Sequence, residues 1–580
     1  MGFLQPDMPR VAPGLWAALP RSERIRTMVR HLAERGSPVP TVVHLAYVVK
    51  IGLYILGGYL LVLSTSGIDG FTNVASWWSE PIVFQKVVLY TMLFEVVGLG
   101  CGFGPLTGRY APPMGSVLYW LRAGTVRLPP WPERIPATRG TRRTPVDAAL
   151  YGALLVVLTL AVFGDGTRQA GLHTQVGVLA DWYTWTVLGL LAVLGLRDKT
   201  IFLAARGEVY GPLALVFLFS GDNVLLGAKL CFMVIWMGAA VSKLNRHFPF
   251  VITGMMINNP LLPKGAMKRM YFRRVPDDIR PGPVAIAVAH AGTAVELAVP
   301  WVLFLSGGGW VTTVAGIVMI CFHSAILSAI PAGVPLEWNV FMIFGVLWLF
   351  LGHRGITLAD ASSPWPFLLV AVMVTVVTVG NLAPRKVSFL PSMRYYAGNW
   401  DTSLWCVKPS AVDKIHARIS ILGKMQHVQL ASIYGEAEAQ VPIHLGYGFR
   451  ALNTHGRALF TLVHRALSDA DEQDYVVCEG ELVAALVLGW NFGDGHLHNE
   501  NLIGAMQERC EFVPGEVRVV ILDGQPIQRQ DQQYRLVDAA SGELERGRVR
   551  VKDLVDAQPW FDDIPVQVEH RAQPAPAPGS

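Results

Sequence analysis

Ionisable side chains inside long apolar stretches are costly, so each is a candidate for function. The apolar stretches of this chain contain Lys86, Glu95, Lys229, His290, Glu296 and His323. Lys243 sits at the end of one stretch and Glu337 opens another. Lys86 and Lys229 lie near stretch ends, where a long stem can carry its ammonium to the interface. Glu95 is deeper. His290 and Glu296 share one stretch, but six residues turn a helix through about 600°, so they are not a same-face pair. They can still line one polar cavity, with Thr293 between them. His323 lies in the middle of the next stretch, beside Cys321 and Ser324. A buried histidine serves either as a hydrogen-bonded structural group or as an acid–base group, and both readings stand here.

A second cluster lies near the C-terminus, in Asp494-Gly495-His496-Leu497-His498-Asn499-Glu500. In an extended segment, alternate residues share a face. Asp494, His496, His498 and Glu500 would then offer two imidazoles and two carboxylates, ligands suited to zinc or iron. The alternative is a polar turn leading into a helix capped by Asn499. His444 and His455 are further possible ligands, though no spacing selects them.

These groups need elements to position them. Only 16% of the 580 residues are charged, against about 25% in ordinary soluble proteins. Mean hydropathy is +0.38. The deficit excludes a disordered chain and an ordinary cytosolic enzyme. The net charge of +5 gives no case for nucleic acid. Apolar runs at 42–63, 82–99, 145–163, 179–196, 207–220, 225–242, 284–305, 310–330, 338–352 and 366–383 approach the roughly 20 residues that cross a bilayer. Those at 207–220 and 338–352 are short and can be re-entrant. Lys and Arg concentrate in 1–41, 100–144, 197–206 and 243–283. The positive-inside rule therefore places these four segments in the cytosol.

The expected fold is an α-helical polytopic membrane protein of about ten spans, with a C-terminal soluble α+β domain. Residues 1–41 form a cytosolic segment in which Ser22 to Glu34 reads as an amphipathic helix. That helix lies either in the headgroup layer or against the protein's own cytosolic face. Residues 42–383 form the membrane domain. Residues 384–570 form the soluble domain, with strands around 517–522 and 548–551 and helices at 410–430 and 499–510. The tail 571–580 reads as disordered. Both termini are expected in the cytosol, and the membrane is expected to be the plasma membrane. The six cysteines are far apart with no CxxC pair, so reduced thiols are expected. The glycine-rich Gly98 to Gly104 ends a span and precedes Pro105, so it reads as close packing or a turn.

The run Trp236-Met237-Gly238-Ala239-Ala240-Val241-Ser242-Lys243-Leu244 resembles the segment around the active-site lysine of the vitamin K-dependent gamma-carboxylase family. The membrane domain of that family is shared by horizontally transferred transmembrane domain proteins. Val288-Ala289-His290 to Glu296-Leu297, Cys321-Phe322-His323 and Phe341-Met342-Ile343-Phe344 are similar to its following helices in order and separation. The resemblance covers about 225–350. It implies that Lys243 is a base toward a reduced isoprenoid quinone, with His290, Glu296 and His323 lining the pocket or relaying protons. The soluble domain here is cytosolic by charge, unlike that family's, so a quinone- or lipid-linked reaction other than carboxylation is implied. Lys243 also precedes Asn245, Arg246 and His247, so it can instead mark a basic boundary.

The whole chain also resembles an uncharacterised actinobacterial multi-spanning family, through Gly102-Phe103-Gly104-Pro105-Leu106-Thr107-Gly108-Arg109 and Gly489-Trp490-Asn491-Phe492-Gly493-Asp494-Gly495-His496. Two functions follow as expectations. One is a membrane enzyme with a Lys243–His290–Glu296–His323 site acting on a quinol or lipid. The other is a non-catalytic envelope factor that handles or scaffolds lipids, with its soluble domain binding partners.

Overall fold

The computed structural model describes residues 2–68, 70–108, 115–168, 174–329, 335–561 and 563–572. Most of the expected disordered tail, 573–580, lies outside them, as does Arg109 at the end of the run from Gly102. Among the described residues, six helices are long and apolar enough to cross a bilayer: Thr41–Leu63, Pro145–Phe163, Asn223–Ser242, Pro283–Leu305, Gly309–Ser328 and Trp365–Leu382. Asn223–Ser242 is the centre of the bundle: 72% of its most apolar window is buried, against 22–33% in the other five. The other expected spans are shorter helices. These are Pro81–Val96, Asp181–Arg197, Gly207–Val216 and Leu336–Gly345, the last continuing as a π-helical turn to Gly352.

Local chemistry sets several helix starts. Thr144 and Asp147 form a reciprocal capping box, with Pro145 at the first turn. Asp147 also receives Arg127 and Arg197, which tie the preceding loop to the next helix end. At the far end of the bundle, Lys229 donates to the carbonyls of His353 and Ile356 at 2.7 and 2.8 Å. Lys86 donates to Thr65 at 2.6 Å. Each of these two lysines thus closes a loop.

The C-terminal region holds a six-stranded antiparallel sheet in the order Val476–Glu479, Thr402–Val407, Val517–Leu522, Asp531–Asp538, Gly542–Arg550 and Val566–Arg571. Glu500–Cys510 matches the helix expected at 499–510, whereas the stretch expected at 410–430 is two helices, Pro409–Arg418 and Gln426–Tyr434, broken at 419–425.

The Arg21–Arg35 helix buries Ile25, Met28, Val29 and Leu32. It packs against Glu436–Leu452 of the C-terminal region. Gly448 permits this contact, because a Cβ there would stand 2.9 Å from that of Met28. Of the two placements expected for this helix, the packed one is observed. Burial of each apolar side chain is worth about 1.5–3 kcal/mol.

The basic loops meet the sheet-containing region at one end of the bundle. Ser116 and Trp120 donate to the carbonyls of Gly489 and Leu488 at 2.9 and 2.8 Å. Lys199 donates to that of His496 at 2.7 Å. His247 bonds Thr454 and Gln525 at 2.6 and 2.8 Å. The loops poor in Lys and Arg join at the other end, where the Ser66 and Gln175 amides donate to Asp165 and Glu80.

Candidate functional site

The central helix ends at Ser242, and its capping residue, Lys243, turns back into the bundle. Its ammonium pairs with the carboxylate of Glu296, which is buried on the Pro283–Leu305 helix. The Phe248 ring covers the ammonium at 5.5 Å. About two turns deeper on the central helix, the Trp236 indole N–H donates to His323 Nε2 at 3.0 Å. That contact leaves Nδ1–H to donate to Asn339 Oδ1 at 3.1 Å. Asn339 in turn donates to the Pro335 carbonyl at 3.0 Å. Both imidazole nitrogens are thereby fixed, and His323 is held as one neutral tautomer.

Lys243, Glu296 and His323 line one cavity of about 110 Å³, together with Trp236, Arg206, Trp338 and Tyr395. Three of the four residues expected from sequence are therefore brought together. His290 is exposed, on the outside of the same helix that buries Glu296, and does not line the cavity. The two residues are not a same-face pair, as the spacing predicted.

A larger chamber of about 300 Å³ adjoins this cavity where the bundle meets the sheet-containing region. Met255, Phe389, Tyr396 and Phe492 line both spaces. The polar wall of the chamber contains Arg450, Glu479, Glu481, Asn453 and Asn491. Arg450 spans the two carboxylates, at 2.5 Å to Glu479 and 3.1 Å to Glu481. Asn491 accepts the Asp494 amide through Oδ1 at 3.2 Å, and its Nδ2 is buried without a hydrogen-bond partner. The two spaces thus combine an apolar inner part with a polar outer part.

A network of buried charges lies beside the inner cavity. Lys50 pairs with Glu337 at 2.8 Å and donates to the Gly100 carbonyl at 3.1 Å. Arg206 pairs with Glu208 at 2.7 Å, reaches Cys101 Sγ at 3.4 Å, and lies over the Trp338 ring at 4.7 Å. The glycine-rich loop makes the closeness possible. A Cβ on Gly100 would overlap the Glu95 carboxylate, and one on Gly102 would overlap Trp490. The loop is a close-packing element, as its context predicted.

Sequence reasoning did not single out Lys50, Arg206 or Glu208. Lys50 carried a visible signal, since it lies within the 42–63 apolar run. Arg206 was legible only as one of several loop cations. Its left-handed backbone, φ 52°, turns the chain into the Gly207–Val216 helix.

The second cluster expected from sequence is arranged differently. The segment is not extended, because Gly495–Leu497 is a short 3₁₀ turn that Asp494 caps by accepting the His496 amide at 3.1 Å. His496 Nε2 lies 3.2 Å from the Asp401 carboxylate and 2.9 Å from the Pro384 carbonyl. Burial disfavours the His496 cation, but its contact with Asp401 outweighs this and raises its pKa. His498 Nδ1 meets the Ser403 hydroxyl at 2.7 Å, and burial lowers its pKa to about 4. Glu500 pairs with Arg535, and Asn499 caps the following helix. Each side chain has a protein partner, although Asp494 Oδ2 and His498 Nε2 are buried without one, and the alternative of a capped turn is the observed one. Of the two further candidates, His444 bonds the Gln440 carbonyl at 2.8 Å and the His455 ring meets that of Trp400 at 4.5 Å, tilted by 56°. Among the described residues, the one group of three His, Cys, Asp or Glu ligand atoms within 4.8 Å of one another is Glu95, Cys101 and Glu337.

The profile of a family described as transmembrane protein of unknown function (DUF3556) matches residues 1–569. The chain belongs to this family. No curated protein and no solved structure matches the chain. The comparisons thus lend no support to the gamma-carboxylase resemblance, and membrane character is what the family description carries.

Proposed function

We propose that this member of the family is a membrane enzyme acting on an amphiphile drawn from the bilayer, an isoprenoid quinol or a lipid with an acidic hydroxyl. The observation that carries the reading is the Lys243–Glu296 ion pair in the wall of an apolar cavity that adjoins a polar chamber. The amphiphile's apolar portion would fill the inner cavity and its head group the chamber. A carboxylate paired with an ammonium can take a proton from a bound hydroxyl, while the ammonium stabilises the resulting oxyanion. His323 is a fixed polar wall in this scheme, because both of its ring nitrogens are engaged.

In the same reading the chain sits in the plasma membrane with both termini in the cytosol. All four basic segments, including 1–41, lie with the sheet-containing region, which supports that orientation. The count of ten crossings belongs to this proposal as well, with the four shorter helices completing their crossings beside the six long ones.

The rival reading is a non-catalytic lipid-handling factor. It is favoured by an open apolar groove of about 590 Å³ along Tyr54, Tyr59, Trp77, Trp78, Tyr90 and Phe344. Mass spectrometry of quinones and lipids bound to the purified wild type and to a Lys243→Met/Glu296→Leu double variant separates the two. The enzyme reading predicts the same bound class in both proteins, with the proportion of unconverted species raised in the variant. Identical species in identical proportions would favour the lipid-handling factor.

A further inference from the structure

Glu95, Cys101 and Glu337 come from three separate places in the chain: the end of the Pro81–Val96 helix, the glycine-rich loop, and the start of the Leu336–Gly345 helix. All three are fully buried. One ligand atom from each lies within 4.8 Å of the others. Glu95 Oε1 and Cys101 Sγ are 3.3 Å apart. Adjacent ligands around a tetrahedral zinc ion with ordinary bond lengths stand about 3.5 Å apart.

Two further observations point to a ligand. Glu337 meets the Lys50 ammonium through Oε2, while its Oε1, fully buried, has no hydrogen-bond partner. The Tyr210 hydroxyl is also fully buried without a hydrogen-bond partner. Charge points the same way. Lys50 and Arg206 face the carboxylates of Glu95, Glu208 and Glu337, which leaves one negative charge over. A buried charge of this kind must be neutralised by a proton or a bound cation. A divalent cation held by an ionised Cys101 brings the network to zero.

We propose that Glu95, Cys101 and Glu337 form a binding site for a divalent first-row transition metal of the zinc or iron type. Binding replaces the Cys101 thiol proton, which leaves to solvent, by a metal–sulfur bond. Burial and the Glu95 carboxylate hold the Cys101 thiol pKa up without a cation, and the Arg206 guanidinium, 3.4 Å from the sulfur, partly opposes them. Arg206 also lines the inner cavity, so it connects the metal site to the amphiphile site. This site stands on its own ligand geometry and does not depend on the proposed reaction.

The test uses the full chain purified in detergent without chelator, on a Cys321→Ala background that removes the one exposed cysteine among the six. Elemental analysis is expected to find about one zinc or iron per chain. Replacement by Co²⁺ is expected to give a thiolate-to-cobalt charge-transfer band in the near ultraviolet. Cys101→Ala should abolish the band, and Glu337→Gln should reduce metal content while leaving the elution profile unchanged. Where a variant does not accumulate, the parent protein still decides. A folded parent that carries no metal and gives no cobalt band overturns the site and assigns the missing charge to a proton. A band that survives Cys101→Ala overturns it equally.

Discussion

The ammonium of Lys243 and the carboxylate of Glu296 form an ion pair between the end of the central helix and the middle of its neighbour, in the wall of a mostly apolar cavity. Residues 53 positions apart are thus joined at the one place where the inner cavity carries charge on both sides. The pair explains how a lysine and a glutamate coexist in a bundle where either alone would be costly.

Breaking this pair from one side should be worse than removing it whole. Glu296→Leu strands the ammonium among apolar side chains and should cost about 3–5 kcal/mol. The double variant Lys243→Met/Glu296→Leu should recover most of that loss. Thermal unfolding in detergent measures both, and losses that simply add would show that the two groups do not interact.

Acid should loosen the junction between the bundle and the sheet-containing region. His247 is fully buried between Thr454 and Gln525, and burial lowers its pKa to about 4. An unfolded histidine titrates near 6.5. Between these values the unfolded chain binds a proton that the folded one refuses, so the stabilisation is full above pH 6.5 and lost as pH falls toward 4. The loss is about 3 kcal/mol for this residue. Unfolding midpoints measured from pH 7.5 to 4.5 should fall, and His247→Gln should flatten the slope. An unchanged slope in that variant would remove His247 from the account.

The N-terminal helix should be held by packing on the protein itself. Gly448→Leu would drive a side chain into Met28 and Val29. It should detach the Arg21–Arg35 helix, at a cost of about 1–3 kcal/mol for the forced overlap. Limited proteolysis should then cut within residues 1–41 while the remainder stays intact. Protection equal to wild type would mean that the contact is dispensable.

The membrane class and the strand-rich C-terminal region were legible because hydropathy and alternation are local properties. The grouping of Lys243, Glu296 and His323 was legible because charges in apolar runs are few. The dismissal of His290 was not, since only the rotation of its helix about the bundle shows that it turns outward. Asp494 to Glu500 misled for a related reason. The spacing of a strand fits the sequence, but Gly495 and the Asp494 cap turn the chain too tightly for a shared face. The Lys50–Glu337 pair spans 287 positions and could not be read from either residue's neighbours. Span count is hard to read for a physical reason as well. Helices such as Pro81–Val96 are buried by their neighbours, so they need not match the bilayer thickness by themselves.

In the proposed function the two adjoining cavities hold a membrane amphiphile, and steric plugs probe that occupancy. Gly254 lines the chamber, and a Cβ there meets nothing within 4 Å. Gly292 lines the inner cavity, and its added Cβ would make an ordinary 3.8 Å contact with Phe322. Gly254→Leu and Gly292→Leu should therefore fill the spaces without unfolding the protein. Mass spectrometry of molecules bound to purified wild type should find one quinone or lipid class enriched over the bulk membrane, and the plugged variants should lose that enrichment at an unchanged melting temperature. Wild type and plugged proteins that carry the same species, in the proportions of the surrounding membrane, would contradict the account.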